Sequence, residues 1–356
     1  MTGQTPVARN PIRVAPPGIA VVCAPTRLEG LRRRWGTAGQ AKFRLKQAHA
    51  HELALRSAPQ AALLERRHGK VASTTKTFQP AAQQQTEFAE YEQEDQVYRG
   101  VIERLEAELQ FGLPVKRVER SFVPNFDFGT CEVVVVVGQD GLVANTAKYV
   151  GNLPIVAVNP DPRRIDGILL PFQASQAQTI VRRVLDGKAR NRPVTLAEVE
   201  LNDGQRMLAF NDFFVGAASH VSARYVLEAE GRSEPQSSSG LIVSTGAGST
   251  GWLSSVFNMA GGIAKFQGRE PSQRPQLAWE DRRLVWAVRE PFVSKRSQAT
   301  LVAGWIGEGQ ELIVESLMPE SGVIFSDGIE NDFLPFTSGV IARLRISRQM
   351  ANLVVG

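Results

Sequence analysis

The chain is poor in the residues that build disulfide frameworks and zinc sites. Two cysteines, Cys23 and Cys131, occur among 356 residues, each in or beside an apolar segment. That usage suits small buried thiols in a reducing compartment and argues against a disulfide scaffold. The four histidines, His49, His51, His68 and His220, are scattered. His49 and His51 stand two apart and do not share a helix face, so no protein-held metal site is expected. No apolar stretch approaches the roughly 20 residues of a membrane span, and no membrane partner is expected. Residues 1–17 are rich in Pro, Arg and small side chains. They lack the apolar core of a secretory signal and are read as a disordered lead-in to a cytoplasmic protein. No zinc knuckle, RNP-like sequence or helix-turn-helix pattern is present, so nucleic acid is not an expected partner. The net charge of +5 is concentrated at Arg32-Arg33-Arg34, Arg66-Arg67, Arg163-Arg164 and Arg182-Arg183, which suits phosphate-rich small ligands. No internal repeat is visible.

What the chain does have is length and apolar content, 43% hydrophobic, enough for two domains. The first half alternates strand and helix patterns. Gly18–Cys23, Val133–Val137 and Pro154–Val158 read as buried strands, and Gly167–Leu170 as a further one. Leu53–Arg67, Asp95–Leu109 and Gln173–Gly187 carry helix-like spacing, with a loop over Ser73–Gln85. This is the pattern of a parallel sheet covered on both faces. After Arg192-Pro193 short strands follow in quick succession: 195–201, 206–214, 223–230, 240–244, 284–288, 299–303, 311–315, 323–326 and 340–346. Turn-forming runs separate them, and one helix from near Ser249 to Ala260 interrupts them. That half is β-rich and mostly antiparallel.

Three segments carry chemistry. Five consecutive valines run into Gly138-Gln139-Asp140-Gly141. Glycines permit close backbone approach to phosphate, successive N–H groups form an anion nest, and Asp140 can accept a hydroxyl proton or help hold magnesium. Read alone, the same residues also suit a structural turn. The second segment, Phe210-Asn211-Asp212-Phe213, places two polar side chains in an apolar strand, where they need hydrogen-bond partners. The third, Ser244 to Trp252, is a Gly/Ser/Thr-rich strand-to-helix turn suited to an anion. It is not a Walker loop, because no lysine follows its last glycine.

In this order and spacing the three segments resemble the NAD kinase family, within the superfamily it forms with diacylglycerol kinases and 6-phosphofructokinases. Gly138–Leu142 stands where the family has GGDGT, Asn211-Asp212 where it has an Asn-Glu or Asn-Asp pair, and Ser238–Trp252 where it has GDG-(apolar)-STPTGSTAY. Pro154–Asn159 and Phe325-Ser326-Asp327-Gly328 are further echoes. The resemblance implies an α/β fold: an N-terminal Rossmann-like α/β domain plus a C-terminal β-rich, antiparallel β-sandwich-like domain, with the active site between them. The corresponding boundaries are 18–190, with a helical insertion about 26–120, then 191–338, then 339–356 returning to the first domain.

It also implies roles. Asp140 is the general base toward a hydroxyl of NAD or a related nucleotide acceptor, the adenosine ribose 2′-OH in true NAD kinases, with ATP and Mg2+ as cofactors. Gly138, Gln139, Gly141, Asn159, Arg163 and Arg164 are the phosphate- and nucleotide-binding candidates. Asn211, Asp212, Ser249, Thr250 and Trp252 are the acceptor-binding ones. A homo-oligomer, dimer or tetramer, is expected. The departures are Gln139 for the second glycine, Leu142 for Thr, Gly246-Ala247 for Pro-Thr, Trp252 for Tyr and Ser239 for the acid of GDG. They leave two alternatives: an inactive nucleotide- or NAD-binding regulatory protein, and a kinase of a sugar or lipid hydroxyl.

Overall fold

The structure, a computed structural model, describes residues 17–56, 82–271 and 273–356. The expected lead-in apart from Pro17, most of the expected helix 53–67 and residues 73–81 of the expected loop lie outside the described residues.

The valine run makes β3 (Cys131–Val137), the heart of a parallel sheet. β1 (Gly18–Cys23) lies between β2 (Val115–Glu119) and β3, and β3 pairs with β4 (Pro154–Asn159), all in parallel. Between β1 and β2 come helices α1 (Arg27–Trp35), α2 (Ala38–Arg56) and α3 (Ala82–Glu108). Helix α3 is already under way at Ala82, so the end of the expected loop is helical. Side chains alternate across a strand, so the valines divide between two cores. Val134 and Val136 pack with Leu142 and Val143 of α4 (Asp140–Ala147). Val133, Val135 and Val137 pack with Ile102 and Leu105 of α3 and Val181 of α5 (Ala177–Leu185). Each buried valine contributes about 1.5–3 kcal/mol of transfer free energy.

Gly167–Leu170 is a turn, not the expected strand. Gly167 has φ +66°, which favours glycine. The sheet continues instead with the short β5 (Phe172–Gln173), parallel to β4.

The second half begins with a hairpin of β6 (Arg190–Leu201) and β7 (Arg206–Ala209). β8 (Asp212–Ala217), β9 (Ala223–Ala229), β10 (Arg232–Ser238) and β11 (Leu241–Ser244) follow. Helix α6 (Trp252–Phe266) then precedes β12 (Leu284–Val288), β13 (Ala303–Ile306), β14 (Leu312–Ser316), β15 (Gly322–Ser326), β16 (Phe333–Pro335) and β17 (Ile341–Val355). One antiparallel sheet runs β13-β12-β11-β8-β15-β16. The other strands join the parallel sheet through β17, whose Asn352 and Leu353 pair in parallel with Pro154 and Ile155. A single apolar core, including Phe213, Val215, Tyr225, Leu227, Val243, Trp286 and Leu344, lies between the two layers. The fold is therefore α/β, with a parallel, helix-covered N-terminal part and a sandwich of antiparallel strands behind it.

The expected strand 206–214 is two strands in two different sheets. The chain leaves the β6–β7 hairpin after Ala209 and enters the other sheet at Asp212. Phe210-Asn211 is the crossing point.

Candidate functional site

Asp140 opens α4 immediately after β3, so its carboxyl group emerges at the C-terminal edge of the parallel sheet, where open α/β sheets bind ligands. At Gly138 a Cβ would press on the Leu142 side-chain methyl at 2.9 Å, so glycine keeps the turn tight against the helix. Gly141 faces open space, with nothing within 4 Å of a Cβ. Gln139 precedes the helix with no side-chain cap bond, which leaves the Asp140 and Gly141 N–H groups for an anion, the Leu142 N–H being spent on the Gln139 carbonyl. One carboxylate oxygen of Asp140 accepts from the Leu169 N–H at 2.7 Å. The 167–170 turn thus aims the acid, and the other oxygen stays available.

The crossing Phe210-Asn211-Asp212 is fixed from two directions. Thr245 donates from its N–H to the Asn211 carbonyl at 2.9 Å and from its hydroxyl to the Phe210 carbonyl at 2.6 Å. Gly248 packs so closely that a Cβ would lie 2.1 Å from the Asn211 oxygen, so the third segment can approach the second only with glycine there. From the other side Asp327 accepts the N–H groups of Asn211 at 2.6 Å and Phe210 at 3.2 Å. Its own N–H donates to the Asp212 carbonyl at 2.9 Å.

Asp327 is buried, with 1% side-chain exposure, and faces Lys148 at 3.5 Å, itself 3% exposed. Lys148 caps the end of α4 and also donates to the Ser326 hydroxyl at 2.8 Å. One ion pair therefore ties the helix that starts at Asp140 to the strands that carry Asn211, Asp212 and Ser326. Burial raises the Asp327 carboxyl, while Lys148 and the backbone N–H groups pull it down. Burial, then the neighbouring Asp327 charge, pushes Asp212 up to about 7.

These elements enclose a cleft of about 400 Å³, lined by Asp140, Gly141, Leu169, Asn211, Asp212, Gly248, Thr250, Trp252, Trp279 and Asp327 among others. All three sequence segments meet in it. On the far side of the glycine turn lies a second cavity of about 490 Å³, lined by Gly138, Gln139, Gly141, Arg27, Arg120 and Arg164, with Glu94 and Asp161 also at its wall. Gly141 belongs to both. Arg27 bonds Glu94, and Arg164 bonds Gln93 and lies 3.8 Å from Asp161. Arg120 forms no ion pair among the described residues.

Three candidates sit elsewhere. Asn159 is buried and spends its amide on the Ile165 carbonyl and the Asp161 N–H. It closes the 159–167 loop and lines neither cavity. Arg163 has an 83% exposed side chain, near only Asp161, because that loop turns it outward. Ser249 folds its hydroxyl back onto the Gly246 carbonyl at 2.8 Å, so Thr250 reaches the cleft and Ser249 does not.

Other residues that line the two cavities or brace them were not among the candidates that the sequence offers. Asp327 had a signal, an Asp-Gly turn closing an apolar strand. Lys148 had a weaker one, a lone cation one step past an apolar helix. Leu169, Trp279 and Arg120 had none.

Among the described residues no group of three or more His, Cys, Asp or Glu side chains is arranged to hold a metal ion. No described helix is long and apolar enough to cross a membrane.

No family model matches the chain. It is 26% identical over 221 residues to a rice protein (Oryza sativa subsp. japonica) described as a probable NADH kinase, the match covering 55% of this chain and 63% of the relative. The chain thus spans less than two thirds of that relative. Among solved structures, yeast NADH kinase complexed with NADH superposes with a TM-score of 0.52 at 14% identity, over 96% of this chain and 84% of the other. An NAD kinase from Archaeoglobus fulgidus in complex with ATP superposes with a TM-score of 0.51 at 17% identity, over 72% and 90%.

Proposed function

We propose that the chain is a divergent member of the NAD kinase family and that it transfers the terminal phosphoryl group of ATP to a hydroxyl of NAD, in either redox state, or of a closely related nucleotide. The observation that carries this reading is the convergence of Asp140, the Asn211-Asp212 crossing and the 246–252 bend on one cleft. The donor occupies the adjoining cavity, with its terminal phosphate at the glycine turn that the two share.

Each group then has a task. Asp140, aimed by the Leu169 N–H, takes the proton of the acceptor hydroxyl through its remaining oxygen. The freed oxygen bonds to the terminal phosphorus. The bond from that phosphorus to the bridging oxygen breaks, and ADP leaves with the electron pair. First-turn N–H groups of α4, Arg120 and Arg164 stabilise charge on the phosphates. Asn211 and Asp212 hold the adenosine part, and Trp252 offers it a flat surface. Near pH 7 the raised Asp212 carboxyl is partly protonated, so it can donate to a sugar oxygen as well as accept. Magnesium would arrive with the triphosphate, as such ions usually do, and Asp140 at the glycine turn would help hold it. Magnesium neutralises phosphate charge when bound.

In this reading residues 18–190 and 191–338 are the two working units, joined by β17, and the protein works in the cytoplasm as a dimer or tetramer. The test is incubation of the full chain with ATP, Mg2+ and NAD or NADH, followed by mass spectrometry. Expected is one added phosphate on the dinucleotide, on the adenosine ribose 2′ oxygen, and equimolar ADP. Tight nucleotide binding without ADP release would instead favour a regulatory protein. Phosphate appearing only on a sugar or lipid hydroxyl would move the acceptor.

A further inference from the structure

A third cavity, of about 670 Å³, adjoins the cleft on the other side of Trp252, which lines both. Its floor is an aromatic stack. The Trp252 and Phe214 rings lie 5.6 Å apart and 8° from parallel, and Phe214 stacks on Phe325 at 4.9 Å. Gly240 permits this packing, since a Cβ there would meet the Phe214 ring at 2.6 Å. The guanidinium of Arg289 lies over the stack, 5.2 Å from the Trp252 ring and 6.0 Å from Phe214. A hydrogen bond to the Ser239 carbonyl at 3.4 Å anchors it. Arg289 forms no ion pair among the described residues. Glu290, Glu330 and His220 also line this cavity, but all three are exposed, where solvent and salt screen them. Arg289 is half-buried on apolar rings, where its field is less screened.

This arrangement bears on the reading given above and rests on it. On that reading a dinucleotide with its adenosine hydroxyl at Asp140 and its adenine beside Trp252 would extend past that side chain, which both cavities share, and place its second ring in this cavity. The ring then meets a cation. An oxidised nicotinamide ring carries a positive charge and is repelled; the reduced ring is neutral and electron-rich and stacks favourably on a guanidinium. We propose that Arg289 is a specificity-determining residue that makes the reduced dinucleotide the preferred acceptor.

The test is fluorescence titration of the full-length protein with NADH, followed by displacement with NAD, for the wild type, Arg289→Met and Arg289→Lys. Binding needs no turnover, so the result is independent of rate. Expected is at least tenfold tighter binding of NADH by the wild type, a ratio that falls to within about threefold in Arg289→Met and is largely kept in Arg289→Lys. An unchanged ratio in Arg289→Met, or no preference in the wild type while both ligands bind, overturns the role of Arg289 and leaves the kinase reading standing. Failure of both dinucleotides to bind overturns the kinase reading, and this inference with it.

Discussion

The two walls of the cleft are built on opposite plans. On one side Asp140 stands on a glycine turn and is tied down by one hydrogen bond, from the Leu169 N–H. On the other, the Asn211-Asp212 crossing is held by Asp327, Thr245 and the close approach of Gly248, with the Lys148–Asp327 pair beneath it. The first wall keeps a carboxylate oxygen and backbone donors free. The second has its polar backbone satisfied. Proton transfer and phosphate binding need unspent groups; recognition of a fixed shape needs groups that cannot move. The difference can be attacked from each side.

The largest effect belongs to the open wall. Asp140→Asn keeps the shape and the bond from Leu169 but removes the proton acceptor that the proposed mechanism requires. The expected outcome in steady-state kinetics is a fall in kcat of about 10²–10⁴ with KM little changed, since general-base groups contribute on that scale. Thermal unfolding should move little, because the side chain supports one hydrogen bond.

The braced wall should show the converse. Lys148→Met leaves Asp327 buried without its cation, which costs about 3–5 kcal/mol for a broken buried pair. Urea unfolding should register that loss. Removing both charges, Lys148→Met with Asp327→Asn, should be less damaging than the single change, because no uncompensated charge remains. If the single and double variants unfold alike, the pair does not brace the wall.

The same contrast explains what was legible in the sequence. The parallel sheet could be read because five buried valines admit few other structures, and Asp140 because its turn follows at once. The Asn211-Asp212 pair was visible as polar residues in an apolar run, but its place between two sheets was not: strand breaks set by tertiary pairing leave no local signature at Phe210. Gly167–Leu170 carried strand-like side chains, and the left-handed Gly167 overruled them. Lys148 and Asp327 lie 3.5 Å apart and far apart in the chain, so no local pattern joins them. Asn159 and Ser249 had suitable chemistry but spend it on nearby backbone.

A smaller effect tests the charge within the braced wall. In the folded chain burial and Asp327 push Asp212 up to about 7, from an ordinary 3.8. Between those values the folded chain keeps a proton that the unfolded chain has released, so stability must fall as pH rises and level off above the folded pKa. Asp212→Asn cannot titrate and lacks this slope. Relative to wild type it should gain about 1–3 kcal/mol between pH 5 and pH 8, read from urea midpoints at the two pH values. A constant difference would mean that Asp212 is ionised in the folded protein throughout.

The smallest effects separate two neighbours near the open wall. Arg163 and Arg164 are adjacent in sequence, yet Arg163 points to solvent and Arg164 lines the cavity proposed for the donor. Arg163→Ala should leave stability within about 0.5 kcal/mol and the KM for ATP within about twofold, because an exposed pair such as Arg163 with Asp161 contributes little. On the proposed reading Arg164→Ala removes a cation from beside the donor phosphates and should raise the KM for ATP about 3–10-fold, the scale of a partly exposed charge-assisted bond. Kinetics at low and high salt sharpen the distinction, since the gap should narrow as salt screens Arg164. Equal effects of the two substitutions would mean that this loop acts on the donor through its general charge and not through the position of one side chain.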